Sequence, residues 1–154
     1  MVYVLDWKND FVGYRNNGII FRHSLEKEVI SMHLIGNVIA IVGKDNLYHY
    51  SILRNQFINI SNFVKNTKYS FDNGHHLFLV DEEGKGTCTD SELIKRYYSF
   101  YTTKGAIPVC SDTSGNYAIF NYPDKTSVLL KKGKIIKSHH NSAFLFLIVL
   151  CQNY

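Results

Sequence analysis

Cysteine, arginine and long apolar runs are all scarce in this chain of 154 residues. Its three cysteines, Cys88, Cys110 and Cys151, are widely spaced and form no Cys-x-x-Cys pair. This argues against a disulfide framework and predicts a reducing compartment, most simply the cytoplasm. No basic segment followed by an apolar stretch is visible at the start, so no secretory signal is expected. The last apolar run, Ala143 to Cys151, would span only about 14 Å as a helix, so no membrane segment is expected.

The charge of the chain is mild overall and uneven along its length. The formal net charge is +4, and lysine outnumbers arginine 13 to 4, so bidentate arginine clamps on phosphates are scarce. Residues 72–92 hold six carboxylates against Lys85 alone, whereas residues 121–154 hold five lysines against Asp124 alone. Solvated turns at two ends of the fold account for this pattern, and so does a pair of charged binding surfaces.

Turn-separated runs of apolar, β-branched and aromatic residues predict a β-meander. Glu28–Ile35 and Val38–Gly43 flank Gly36-Asn37, a pair typical of a tight hairpin, and Leu47–Leu53 follows the next turn. Val38–Val42 is apolar throughout and is expected to be buried on both faces, while the mixed Leu47–Leu53 is expected nearer an edge. The other predicted strands are Val2–Trp7, Phe11–Tyr14, Gly18–His23, Gln56–Ser61, Lys68–Phe71, His76–Asp81, Ile107–Cys110, Asn116–Tyr122, Thr126–Lys131, Lys134–Ser138 and Ala143–Leu150.

One short helix is predicted near residues 90–101. Thr89-Asp90-Ser91-Glu92 has the form of a capping box, and Leu93, Ile94, Tyr97, Tyr98 and Tyr101 follow at helical spacing before Gly105. The aromatic run at its end is also compatible with a strand.

The fold class predicted is mainly β, as one domain over residues 1–154. The segments Glu28–Ser61, Lys68–Asp90 and Gly105–Ser138 each have a strand–turn–strand shape that resembles the blades of a β-propeller. The common repeat signatures, a Trp-Asp dipeptide and a Gly-His pair, are missing, and a closed propeller needs more blades. An antiparallel meander forming a sandwich or barrel is therefore preferred to a partial propeller.

Local motifs give no strong case for catalysis, a cofactor or a metal. Asp112-Thr113-Ser114-Gly115 approaches an aspartic-protease triplet but lacks its second copy, and a turn explains it. The pairs His75-His76 and His139-His140 point to opposite faces of an extended chain, while His33 and His49 could approach each other across the meander. Cys110 or Cys88 could act as a nucleophile beside a histidine, but no activating motif accompanies either. An enzyme with a non-local active site stays an open alternative.

The basic segment 125–140 is the leading candidate site. We expect its lysine hairpin to dock onto RNA or a ribonucleoprotein particle, with lysines on phosphates and aromatics stacked on bases. The expected nucleic-acid-binding residues are Lys125, Lys131, Lys132, Lys134, Lys137, Tyr117 and Tyr122. The alternative is a protein–protein interaction module that binds through exposed aromatics or through the acidic segment 81–92.

Overall fold

The structure, a computed structural model, describes residues 1–25, 28–61, 65–90, 92 and 95–140. These residues form strands and turns, and none of them belongs to a helix that could cross a membrane. The strands are β1 (Val2–Leu5), β2 (Asp10–Arg15), β3 (Gly18–Ser24), β4 (Val29–Ile35), β5 (Val38–Gly43), β6 (Leu47–Ser51), β7 (Gln56–Ser61), β8 (Thr67–Asp72), β9 (Leu77–Asp81), β10 (Lys85–Thr89), β11 (Arg96–Tyr101), β12 (Ile107–Ser111), β13 (Tyr117–Asn121), β14 (Thr126–Lys131) and β15 (Lys134–His140).

The strands form four antiparallel sheets, each a simple meander. The first sheet is β1-β2-β3, the second β4 to β7, the third β8 to β11 and the fourth β12 to β15. The hairpin predicted at Gly36-Asn37 is confirmed, since Ile35 pairs with Val38 across it and Gly36 has a φ of +57°. Glycine tolerates that left-handed conformation at little cost, so this turn closes without strain.

Successive sheets pack face to face through three apolar clusters. Because side chains alternate along a strand, the second and third sheets each bury both of their faces. The first strands of neighbouring sheets are also in contact, β4 with β8 and β8 with β12. The cluster between the first and second sheets includes Phe11, Ile41 and Tyr50. The cluster between the second and third sheets includes Ala40, Leu47 and Leu79. The cluster between the third and fourth sheets includes Phe78, Phe100 and Phe120.

The predicted mainly β, antiparallel class is confirmed, and the layering favours its partial-propeller alternative over the sandwich or barrel that the sequence preferred. A sandwich has two sheets with one core, whereas here four small sheets follow one another with a core at each junction. Sheets arranged so that their first strands adjoin are the arrangement of propeller blades. The propeller-like alternative is therefore the one that the structure supports.

The two central strands of the second sheet illustrate one correct and one wrong prediction. Val38–Val42 is buried as expected, with Ile41 and Val42 fully enclosed. β6 was expected near an edge, but it lies between β5 and β7 and all five of its residues are buried. The Tyr50 hydroxyl is accommodated at this depth because it donates to Asn55 Oδ1 at 2.6 Å.

The helix predicted near residues 90–101 is wrong for the part that the structure describes, because Arg96–Tyr101 is strand β11. Tyr98 and Phe100, two residues apart, both reach the cluster between the third and fourth sheets. The Phe100 ring lies directly against Gly86, so closely that an added Cβ would overlap the ring. Period-two burial of aromatics therefore outweighs the helical spacing.

One strand was missed and one lies outside the described residues. Gly84-Lys85-Gly86 contains the expected turn only in part, because β10 begins at Lys85. β10 is short and polar, which left it without a visible apolar alternation. The predicted strand Ala143–Leu150 falls in the segment 141–154, which the structure does not describe.

Candidate binding surfaces and a polar cluster

The first sheet exposes apolar side chains on the face turned away from the second sheet. Strand register places Val2, Tyr14 and Ile19 in one row across this face, and Val4, Val12 and Arg22 in the next, where Val12 itself is buried. Val2 and Ile19 are 61% and 54% exposed. These six residues are called the first-sheet face below. Exposed apolar residues that adjoin one another on a sheet are typical of an interaction site.

Trp7 stands beside the first-sheet face, in the turn between β1 and β2. Its side chain is 87% exposed, and the Lys8 ammonium lies 5.0 Å from its ring centroid. Asp6 fixes this turn, because its Oδ1 accepts hydrogen bonds from the backbone amides of Lys8 and Asp10 at 2.9 Å. The bond from the Asp10 amide holds the pKa of Asp6 below its ordinary value. A well-defined turn thus presents an exposed indole.

Four of the seven predicted nucleic-acid-binding residues share one face of the fourth sheet. Tyr117 pairs with Lys131, which pairs with Lys134, and Lys137 lies on the same face beside Leu129. The Lys131 ammonium is 5.4 Å from the Tyr117 ring centroid, a cation–π distance. Tyr117, Lys131, Lys134 and Lys137 are called the lysine face below. Lys132 occupies the adjoining β14–β15 turn, with a φ of +46°.

Lys125 and Tyr122 lie at the opposite end of the same sheet. Lys125 sits in the β13–β14 turn, where its amide donates to the Tyr122 carbonyl at 3.0 Å. The Tyr122 ring packs against the cluster between the third and fourth sheets. Burial raises the pKa of its hydroxyl. The predicted residues therefore do not form one continuous surface.

The acidic segment 81–92 is partly paired within the chain. Glu82 Oε1 lies 3.1 Å from the Lys68 ammonium, and Glu83 Oε1 lies 3.0 Å from that of Lys104. The hydrogen bond from Lys68 lowers the pKa of Glu82. Exposed pairs of this kind add little stability, but they reduce the charge offered to a basic partner.

The nucleophile and protease interpretations of Cys88 and Asp112 find simpler structural roles. Burial raises the pKa of the Cys88 thiol to about 12, so the thiolate is scarce at neutral pH. Asp112 Oδ1 accepts from the Tyr117 amide at 2.7 Å, and its Oδ2 accepts from the Ser114 hydroxyl, as in a turn. Cys110 is half-buried on β12.

The histidines predicted as metal candidates do not gather into a metal site in the described part of the chain. Among the described residues, no group of three or more His, Cys, Asp or Glu side chains is placed to hold an ion. His33 and His49 share a face of the second sheet but are separated by Ala40 of β5. His76 Nδ1 instead lies 2.8 Å from the Thr89 carbonyl oxygen, and its ring stacks on Tyr97.

His49 is fully buried, and within the described part of the chain neither ring nitrogen has a hydrogen-bond partner. Burial holds its pKa below the ordinary 6.5. In the unfolded chain, His49 therefore binds a proton near pH 6.5, whereas in the folded protein it stays neutral. The free energy of unfolding consequently decreases as the pH falls below that value.

We expect the free energy of unfolding to fall by up to about 1 kcal/mol between pH 7 and pH 5.5 through this residue. Urea titrations at a series of pH values measure it. The variant His49→Leu should have a flatter profile, whereas His75→Gln, at an exposed histidine, should keep the wild-type slope. A His49→Leu slope equal to that of the wild type would contradict the assignment.

Sequence reasoning missed a polar cluster at the contact between β4 and β8. His33 Nδ1 lies 2.7 Å from Asp72 Oδ2, and His33 Nε2 lies 3.0 Å from Ser31 Oγ and 2.9 Å from Ser70 Oγ. The two hydroxyl oxygens are 2.5 Å apart. The only sequence signal was the spacing of two within each strand, Ser31-x-His33 and Ser70-x-Asp72, and nothing local indicated that the strands would adjoin.

Comparisons with known proteins agree with a propeller-like class of fold. Neither a protein-family model nor a curated protein matches the sequence. The crystal structure of BamB from Moraxella catarrhalis is similar in fold, with a TM-score of 0.65 at 10% sequence identity. The match covers 87% of this chain and 45% of that one, so the chain spans about half the length of the solved structure. At such low identity the similarity concerns the fold alone.

Proposed function

We propose that this chain is a propeller-like protein–protein interaction module whose partner binds the first-sheet face and Trp7. The observation that carries the proposal is the exposure of Val2, Ile19 and Trp7 on and beside one sheet. Tryptophan is enriched among residues that dominate binding energy, and apolar residues form the centres of interfaces. Such a surface is costly to leave in water.

The partner is expected to present an apolar β-sheet face. Each sheet-to-sheet junction inside this molecule buries aliphatic or aromatic side chains from both sides. The first-sheet face carries the same types of side chain, so the next layer would continue the existing arrangement. Trp7 lies in a turn at one end of that sheet, so it would contact the periphery of the partner's interface.

Site-specific photo-crosslinking in cells tests this proposal. A benzophenone amino acid at position 4 or 7 should yield one discrete adduct with another polypeptide, identified by mass spectrometry. Position 53 is the matched control. Leu53, like Trp7, is a turn residue with a large apolar side chain and is 78% exposed, but its turn joins β6 and β7 of the second sheet. Equal adducts from all three positions, or none from 4 and 7, would refute the proposal.

Once the partner is purified, truncation of Trp7 measures its share of the affinity. Trp7→Ala should weaken binding by about 30-fold, the size typical of an interface tryptophan. Leu53→Ala should leave the dissociation constant unchanged.

A second candidate function is docking onto RNA through the lysine face. The supporting observation is that Lys131 and Lys134 lie on one exposed face with Tyr117, where ammonium groups and an aromatic ring can contact one strand. The mild net charge requires this contact to be local and strongly dependent on salt.

Binding of a single-stranded oligoribonucleotide, followed by fluorescence anisotropy across a salt series, distinguishes this function. Replacing Lys131 and Lys134 by glutamine should lower the slope of log K against log salt by about 1.4, because two phosphate contacts are lost. Lys125→Gln is the matched control, since Lys125 lies at the other end of the sheet. If the control has the larger effect, or no variant changes the slope, the lysine face does not bind RNA.

A further inference from the structure

The cluster formed by Ser31, His33, Ser70 and Asp72 has the connectivity of a serine nucleophile with its base. A carboxylate contacts one ring nitrogen of His33, and two hydroxyls contact the other. The recurring arrangement for activating a serine is a hydroxyl within hydrogen-bond reach of a histidine that a third group orients. That arrangement is recognised by geometry rather than by sequence order.

The fold explains why these side chains meet. Alternation along β4 places Ser31 and His33 on the face toward the third sheet, and alternation along β8 places Ser70 and Asp72 on the facing side. The His33 side chain is 12% exposed and that of Asp72 is 29% exposed. The cluster is thus largely shielded by its neighbours yet still open to solvent.

Asp72 determines which nitrogen of His33 carries the proton. When its carboxylate accepts the Nδ1 hydrogen, the Nε2 lone pair faces the two serine hydroxyls. Only one hydroxyl can donate into that lone pair, and the 2.5 Å separation lets the second hydroxyl donate to the first. Asp72 is a positioning residue, since it acts through His33.

One feature beside the cluster suits it to a substrate. β4 and β8 are the first strands of their sheets and pair with a strand on one side only, so the backbone amides of their free edges are available as donors to an oxyanion.

We propose that this cluster is a serine-dependent acyl-transfer site for carboxylic esters. The Oγ of Ser31 or Ser70 attacks the ester carbonyl carbon while its proton passes to His33 Nε2. The ester C–O bond then breaks, and the leaving alkoxide takes that proton, which leaves an acyl-serine. Water attacks the acyl-serine, loses a proton to His33, and releases the carboxylic acid as the serine recovers its hydrogen.

An alkyl fluorophosphonate tests the nucleophile directly, since an activated serine displaces fluoride and forms a stable phosphonate ester. Mass spectrometry of the wild-type protein should place the label on Ser31 or Ser70. His33→Gln should slow labelling about 10³-fold or more. Ser24→Ala is the matched control, because Ser24 donates to the Asp10 carboxylate at 2.6 Å with no histidine between them, and its variant should label at the wild-type rate.

Hydrolysis of 4-nitrophenyl butyrate tests Asp72. Asp72→Asn should lower kcat strongly and leave KM almost unchanged, because the asparagine no longer holds the Nδ1 hydrogen that turns the Nε2 lone pair of His33 toward the serines. A loss that appears in KM as well as in kcat would indicate a purely structural role. No label on the folded wild-type protein, a label at another residue, or unchanged labelling of His33→Gln would each overturn the proposal.

Discussion

Replacing Tyr50 by alanine is expected to cost about 3–5 kcal/mol of the free energy of unfolding. Tyr50 is fully buried at the junction of the first and second sheets. Its ring centroid lies 4.9 Å from that of Phe11, 5.3 Å from that of Phe21 and 5.6 Å from that of Tyr3. Truncation removes the ring that these three share, so the first sheet should be the first part to loosen.

Equilibrium urea unfolding gives the size of this loss, and amide hydrogen exchange gives its location. Tyr50→Phe keeps the ring and removes only the hydroxyl that donates to Asn55, so it should cost about 1 kcal/mol. Equal losses of unfolding free energy for the two variants would show that the Tyr50 ring does not hold the first sheet in place. Amide exchange that rises in the fourth sheet instead of the first would show the same.

Gly84→Ala is expected to destabilise the protein by about 3 kcal/mol. Gly84 has a φ of +86°, and an added Cβ would lie 2.5 Å from the Thr103 carbonyl oxygen and 2.7 Å from that of Thr102. Both are backbone atoms, so neither can move aside without shifting the loop after β11. The Gly84 carbonyl also accepts from the Thr102 amide and hydroxyl at 2.7 Å, which ties this turn to that loop.

Gly74→Ala separates the steric part of that loss from the conformational part. Gly74 has a similar φ of +82°, but an added Cβ there would meet nothing within 4 Å. We expect Gly74→Ala to cost about 1 kcal/mol, the conformational penalty alone. Thermal or urea unfolding of the two variants under the same conditions would refute the close approach at Gly84 if their losses were equal.

Short-range patterns were sufficient for much of the architecture. The Gly36-Asn37 turn and the unbroken apolar run of Val38–Val42 each specify their structure locally, because turn chemistry and burial act within a few residues. The antiparallel meander followed from such segments, and the blade-like grouping was visible in their spacing. The order of preference among folds was wrong because propeller and sandwich strands look alike until the sheets are packed.

Tertiary contacts decided the features that sequence reasoning misjudged. The apolar residues around Arg96–Tyr101 have helical spacing, but the segment is an extended strand. Tyr98 and Phe100 pack from this strand against the cluster between the third and fourth sheets. β6 was expected nearer an edge because it contains His49 and two tyrosines, and the bond from Tyr50 to Asn55 shows how a hydroxyl can be buried at the centre.

The candidate sites were the least predictable part. The four residues of the lysine face could be placed together from the sequence, because they fall on one hairpin and the strand beside it, while their role in binding stays a prediction. The first-sheet face required the register of three strands. The polar cluster joins residues 37 to 39 positions apart, and nothing in the intervening sequence brings β4 next to β8.

The adjacency of β4 and β8 is the central claim, because both the propeller-like arrangement and the polar cluster depend on it. Disulfide trapping in the double variant Ser31→Cys, Ser70→Cys measures it most directly. The 2.5 Å between the hydroxyl oxygens places the two Cβ atoms within reach of a disulfide after small adjustments. We expect peptide mass spectrometry after mild oxidation to find the two introduced thiols joined to each other, whereas those of the pair Ser31→Cys, Ser24→Cys should remain unlinked. A folded double variant in which both introduced thiols stay free would contradict the account.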